Sequence, residues 1–273
     1  MTPLPGKSLK HRKPDTLFVG SLAKGFSVLQ AFRTGQKELG LADLGLSEIA
    51  KLSGLDKSAA QRFTNTLLEL GYLEKDPRTR RYRPALKLTE FYYTYLVSNR
   101  LAEIAMPRLI EASNVYGTTV NLCEPSGTHV TYTIRVPHQK AFYRATIPGR
   151  SMPVFCTAPG HAILGTRDED EVERILAASD IKPMTNKTIT DLRKIRSLIK
   201  QSRKDGYSVT AEQSLPHEIS TAAPVLNSER RAVAAVQIPV YMPHWTVDEA
   251  REKIVPLILE TARAVSGSYF EEY

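Results

Sequence analysis

The stretch that decides the fold is LSEIAKLSGLDKSAAQRFTNTLLELGYLEKDPRTRRYRP, residues 46–84. Ser47 suits the N-cap of a short helix whose Ile49, Ala50 and Leu52 point inward, and Gly54 suits its stop. A second helix opens at Asp56 or Lys57 and stops at Gly71, with Ala60, Phe63, Thr64, Leu67 and Leu70 on one face. Its other face carries Lys57, Ser58, Gln61, Arg62 and Asn65, side chains whose donors and amides match base edges. Two helices of these lengths around a glycine turn have helix-turn-helix spacing. The next residues read as two short strands around Asp76–Pro77. That basic hairpin is a wing, with Arg78, Arg80 and Arg81 placed for phosphates or a minor groove. Together with Ser47, these residues form the candidate surface for double-stranded DNA. Winged helices also act as protein-interaction modules, so the motif alone leaves that alternative open.

Charge argues for the polyanion. Residues 1–100 hold 17 Lys and Arg against 9 Asp and Glu, whereas residues 101–273 hold 20 of each. The whole net charge of +8 therefore lies in the first hundred residues. Residues 1–16 read as a disordered basic arm, ahead of a winged helix-turn-helix domain over 17–86. Within it, SLAKGFSVLQAF begins a helix capped by Ser21, with Leu22, Phe26, Leu29 and Phe32 or Ala31 facing the core. No apolar run is long enough to span a membrane, and the N-terminus lacks a signal-peptide core. Cytoplasmic localisation is expected, with two cysteines too few for a disulfide framework.

Residues 87–100 read as a linker helix whose Phe91, Tyr95 and Leu96 stripe, widened by Tyr92 and Tyr93, suits either a second copy of the chain or an intramolecular seat. The helical pattern breaks near Pro107. From residue 118 the pattern turns to strands (TTVNLCEP, HVTYTIRVP, AFYRATI), then helices, then strands again, and a last helix kinked at Pro256. The fold class is therefore α+β, with one sheet and helices packed on it over 101–273. Nothing in the chain matches a catalytic or metal-binding motif, and no cofactor is expected. Cys156 and His161 form the one pair to weigh as a thiol nucleophile or, with Cys123, as metal ligands; the spacing supports neither. TAPG at 157–160 leads into a helix, where backbone N–H groups and a charged His161 would hold a carboxylate. From the residues alone, the reading as a tightly packed turn without ligand is the favoured one.

Four segments in order resemble the IclR-type bacterial transcription regulators: SLAKGFSVLQAF, LSEIAKLSGLDKSAAQRFTNTLLELGYL, GRSMPVFCTAPGHAIL, and DGYSVTAEQ followed by STAAPVLNSERRAVAAVQIPV. The first of them is also similar to the branch controlling aromatic-acid catabolism. The resemblance implies a winged helix-turn-helix, a dimerising linker helix and a GAF-like antiparallel-sheet effector domain. It further implies dimers or dimers of dimers on palindromic operators, repression or activation with RNA polymerase as a partner, and a small organic acid as effector. Carried over by position, the effector site comprises Met152, Thr157, Ala158, Gly160 and His161 with Thr210, Glu212, Ser220 and Gln237. The family often has Lys where His161 stands, and Asp and Ser where Thr210, Gln237 and Pro239 stand, so ligand identity is not inherited. The alternatives are a DNA-tethered enzyme using Cys156 and a scaffold without ligand.

Overall fold

The computed structural model describes residues 17–39, 43–138, 147–242 and 244–270, with backbone only for 34–39 and 270. The expected arm 1–16 and the strand expected over AFYRAT lie outside the described residues. The chain divides between Tyr95 and Leu96 into two compact units.

In the N-terminal unit, helices α1 (Gly20–Leu39), α2 (Leu46–Ser53) and α3 (Lys57–Glu69) precede strands β1 (Leu73–Lys75) and β2 (Tyr82–Pro84). Their core is Val28, Ala31, Phe32, Leu44, Ile49, Leu73 and Tyr82, with Phe63 and Leu67 packed beside it. Leu22 and Phe26 do not face this core as expected; they are exposed. At about 100° per residue, Phe26 lies ~160° and Leu22 ~120° around α1 from Val28, so one helix cannot bury all three on one side. Leu70 is also exposed, because α3 ends before it.

Ser47 is not the cap of α2. Gly45 holds that place, its N–H donating to Glu48 Oε2 at 2.7 Å, and Ser47 sits one residue inside the helix on its exposed side. The cause lies outside the local sequence: Leu44 and Tyr82 exchange N–H···O bonds of 2.9 and 2.8 Å, which fixes the entry to α2 two residues earlier. Gly54 ends α2 in the left-handed region, φ 69°, where a side chain would be strained although nothing stands within 4 Å of its position. Asp56 then caps α3 through Ala59 N at 2.8 Å, as expected.

Helix α4 (Thr89–Ser98) ends at Asn99, whose Oδ1 accepts from Leu101 N and caps α5 (Arg100–Tyr116). The break thus falls at Asn99, and Pro107 lies within α5. Pro107 is on the exposed side, so the carbonyl one turn back that loses its donor faces water. The C-terminal unit contains an antiparallel sheet in the order β5-β4-β3-β8-β7-β6, with β3 Val120–Ser126, β4 His129–Val136, β5 Ser151–Pro153, β6 Ser208–Ala211, β7 Glu218–Leu226 and β8 Ala232–Tyr241. Helices α5 and α10 (Val255–Phe270) cover one face through Leu122, Ile219, Val236, Ile258 and their neighbours. The other face receives α6 (Ala158–Leu164), flanked by α7 (Glu169–Ala178) and α8 (Leu192–Asp205). Helix α6 touches β3, β4, β6, β7 and β8, so the sheet curls around it. Before Pro256 the last helix opens into a π turn, Ala250–Ile254, which follows the short α9 (Val247–Glu249) and accommodates the missing N–H.

Candidate functional site

Two surfaces gather the candidate residues, and each belongs to one unit. On α3, burial of Ala60 and Thr64 against the core turns the opposite side out. Lys57, Ser58, Gln61, Arg62 and Asn65 are all exposed there, in one strip along the helix. Beside them the hairpin tip is shaped by Asp76, whose Oδ1 accepts from Arg78 N and Thr79 N at 2.8 Å each. Those two amide donors hold the Asp76 carboxyl below its ordinary pKa. Arg78 and Arg80 are exposed at the tip, Arg80 with a left-handed φ of 57°. Arg81 differs. Its Nη2 donates to Glu48 Oε2 at 2.6 Å and to Asp43 O at 2.8 Å, and its Nε donates to Asp43 O at 3.2 Å. The third wing arginine therefore bolts the hairpin to the start of α2.

In the C-terminal unit, strand alternation collects polar side chains under α6. Thr210 pairs with Ser220, and Gln237 pairs with both Asn121 and Ala222. Asn121 Nδ2 donates to Gln237 Oε1, and Gln237 Nε2 donates to Ser220 Oγ at 2.8 Å. All four polar side chains in this row, Asn121, Thr210, Ser220 and Gln237, are buried. Met152 is buried on β5 opposite Val130. Glu212 stands apart: its Oε1 accepts from His217 N at 3.0 Å, and it bends the β6–β7 loop, where both residues have positive φ.

The TAPG segment is packed tightly. Thr157 Oγ1 donates to Pro153 O at 2.8 Å and accepts from Gly160 N at 3.3 Å. A β-carbon on Gly160 would stand 2.2 Å from Val154 O, so glycine is required for α6 to lie this close. Ala158 is fully buried. The expected positive charge on His161 is corrected: the ring is fully buried, and burial pulls its pKa below the ordinary histidine value. Its Nε2 lies 2.7 Å from Phe155 O and so carries the proton, while Nδ1 has no partner among the described residues. Cys123 and Cys156 are both buried, and burial with the charge of Glu218 pushes the Cys123 thiol up. No group of three or more His, Cys, Asp or Glu suited to a metal occurs among the described residues. No helix among them is long and apolar enough to cross a membrane.

Three residues of this face escaped the sequence reading: Asn121, Arg150 and Glu218. Glu218 is 2% exposed, in phase with Ser220 and Ala222 on β7, and burial pushes its carboxyl up to about 7 against the pull of Arg150. The alternation of β7 would have found it, since counting back from Ser220 by two reaches position 218. An acid there reads as a strand-end surface residue, yet it is buried.

Two family models match the chain: the IclR helix-turn-helix domain over residues 21–77 and the bacterial transcriptional regulator IclR C-terminal domain over 93–267. A Pca regulon regulatory protein of Pseudomonas putida is 26% identical over 97% of this chain and 89% of its own length. Among solved structures, an IclR transcriptional regulator from Alicyclobacillus acidocaldarius superposes with a TM-score of 0.77 at 24% identity, covering 92% of this chain and 99% of that one. An IclR homologue complexed with 4-hydroxybenzoate, from Microbacterium hydrocarbonoxydans, superposes with a TM-score of 0.71 at 20% identity, covering 91% and 98%.

Proposed function

Since the chain belongs to the IclR family of bacterial transcriptional regulators, we propose that it reads a palindromic operator as a homodimer or dimer of dimers and that a small organic acid on the α6-facing side of its sheet sets the response. The observation that carries the DNA reading is the exposed strip Lys57, Ser58, Gln61, Arg62 and Asn65 beside an exposed arginine hairpin. In a dimer, two such helices enter successive major grooves about one helical turn apart. Gln61, Arg62 and Asn65 read base edges, with Lys57, Ser58 and Ser47 positioning them on the backbone; Arg78 and Arg80 take phosphates. Arg81 serves by holding the wing.

In the effector site, Thr210, Ser220 and Gln237 meet the polar ends of the acid and Met152 its apolar body. Thr157, Ala158, Gly160 and His161 set the depth of α6 over it, and Glu212 shapes the loop at its rim. The acid acts only through different affinity for the DNA-competent and incompetent forms of the protein. The 4-hydroxybenzoate of the Microbacterium neighbour, which shares the fold alone, sets the aromatic arm of a test panel. The enzyme alternative loses its support because it requires a reachable thiolate, and Cys156 is buried.

The test selects binding sites from random duplexes with the full chain, then measures anisotropy on the enriched site against scrambled DNA, with and without aromatic and short-chain acids. A palindromic consensus and an acid-dependent shift are expected. Enrichment of no sequence would overturn the operator assignment, and indifference to every acid would overturn the effector assignment.

A further inference from the structure

Three side chains tie the start of α4 to the end of α3. Helix α3 stops at Glu69, and Gly71, with φ 78°, turns the chain towards β1. Tyr72 sits in that turn, half-buried, its N–H donating to Leu67 O at 2.9 Å and its carbonyl accepting from Ala85 N at 3.0 Å. Lys87 comes from the short 3-10 turn Leu86–Leu88 that leads into α4. Its Nζ donates to Leu70 O at 3.1 Å, one of the carbonyls a helix end leaves without an intrahelical donor. The same ammonium stands 5.0 Å from the centroid of the Tyr72 ring, within reach of a cation–π contact. Phe91, in the first turn of α4, stacks on that ring with centroids 5.6 Å apart and planes 30° from parallel.

None of the ten residues of α4 is buried. A helix that sinks no side chain into a core is aimed by partial contacts, and the Lys87–Tyr72–Phe91 group is the one that reaches the end of α3. The opposite side of α4 is apolar and open. Tyr93 and Val97, one turn apart, are 67% and 65% exposed. At about 100° per residue, Phe91 lies ~200° around the helix from Tyr93. One side of α4 therefore holds the end of α3 while the other is left for a second copy.

Resting on the operator reading above, we infer that Tyr72, Lys87 and Phe91 are positioning residues for DNA recognition: they fix α3 against α4, and in a dimer joined through α4 they set the half-site separation the protein accepts. None of the three needs to touch DNA. Half-site separation follows from the distance and angle between two recognition helices. Each copy contributes the offset from its own α3 to the element on the dimer axis. By symmetry a change at the joint occurs in both copies, so its effect on the separation is doubled. The joint is also lightly built, since Phe91 remains 57% exposed, and truncating it empties no core.

The test takes the full chain and the palindrome enriched from random duplexes, rebuilt as a half-site and as a series with the spacer changed by one or two base pairs. Anisotropy on the native protein is expected to favour the selected spacing about tenfold or more over a two-base-pair change. Phe91→Ala and Tyr72→Leu should each cut that preference to about threefold or less, with half-site affinity within about twofold of native. Tyr72→Phe keeps the ring for both partners and should behave as native. Lys87→Met keeps the stem, loses the charge and the bond to Leu70, and should fall between. Should the ring variants lose helix content, Lys87→Met carries the test alone. A spacing preference as sharp in Phe91→Ala and Lys87→Met as in the native protein would overturn the inference and leave the operator reading standing. So would half-site affinity falling in step with full-site affinity, the mark of a merely structural role. If no palindrome is enriched, the operator reading itself falls and this inference with it.

Discussion

Gly160 and Glu218 show how differently single residues can be legible. The small residues of TAPG stood out in the sequence, but their reason did not: the glycine is there for Val154, whose carbonyl oxygen and Cα would lie 2.2 and 2.5 Å from any β-carbon. Both atoms are backbone and cannot swing aside, so Gly160→Ala should cost about 3 kcal/mol or more in urea unfolding. Gly267→Ala is the contrast. It lies inside α10 with nothing within 4 Å, and should stabilise by roughly 0.5–1 kcal/mol. Glu218 lies in phase with Ser220 by the alternation of β7, but as a carboxylate at the start of a strand it reads as a surface residue and is passed over. Its folded pKa, about 7, is raised above the unfolded value near 4.5. Between those values the folded state binds more protons than the unfolded one, so stability falls as pH rises from about 4.5 to about 7 and is level above. Comparing the native protein with Glu218→Gln isolates this slope. The native protein should lose up to about 3 kcal/mol more across that window, and the variant should be the more stable of the two at pH 8.

At the scale of elements, helix existence was readable and helix edges were decided by tertiary contacts. Ser47 has the better capping side chain, yet Gly45 caps α2 because Leu44 is already paired with Tyr82 and Glu48 is held by Arg81. The three wing arginines looked equivalent in sequence and are not. Arg80→Ala should weaken binding to operator and random DNA alike and flatten the salt dependence by about one unit of slope. Arg81→Ala should leave that slope nearly unchanged, because its charge is already paired, and act through a loosened hairpin; anisotropy across a salt series separates the two. Arg62→Ala, by contrast, should narrow the gap between operator and random duplex by about 1–3 kcal/mol. The junction of α4 and α5 follows the same logic. Proline drew attention to position 107, while the break was made by Asn99, which caps α5 and donates Nδ2 to both oxygens of Glu124 at 3.0 and 3.1 Å. Asn99→Ala should cost ~1–2 kcal/mol, and Asn99→Asp more, since it keeps the cap but sets two carboxylates face to face; thermal unfolding ranks them.

For the whole molecule, the order of a basic helix-turn-helix, a linker and an α+β unit was plain from charge, periodicity and four resembling segments. The aromatic stripe of the linker helix was legible as well, whereas the outward apolar face of α1 reads in the sequence as pointing inward. Phe26 on α1 is 53% exposed and Tyr93 on α4 is 67% exposed, and apolar faces of this kind suit a second copy of the chain. If the proposed dimer forms through these faces, charging both, Phe26→Glu with Tyr93→Glu, should leave the chain monomeric in sedimentation without lowering helix content by circular dichroism. Half-operator affinity should survive this change and full-operator affinity should collapse. The locked Arg81 bears on time as well as on affinity. Only contacts indifferent to sequence hold the protein on the vast excess of DNA that carries no operator, and they set how long each wrong stretch is sampled before release. If the wing contacts DNA as proposed, the withdrawal of Arg81 into Glu48 and the Asp43 carbonyl should make the hairpin grip anonymous DNA more lightly than its sequence suggests, and the search for the right site should proceed in shorter visits.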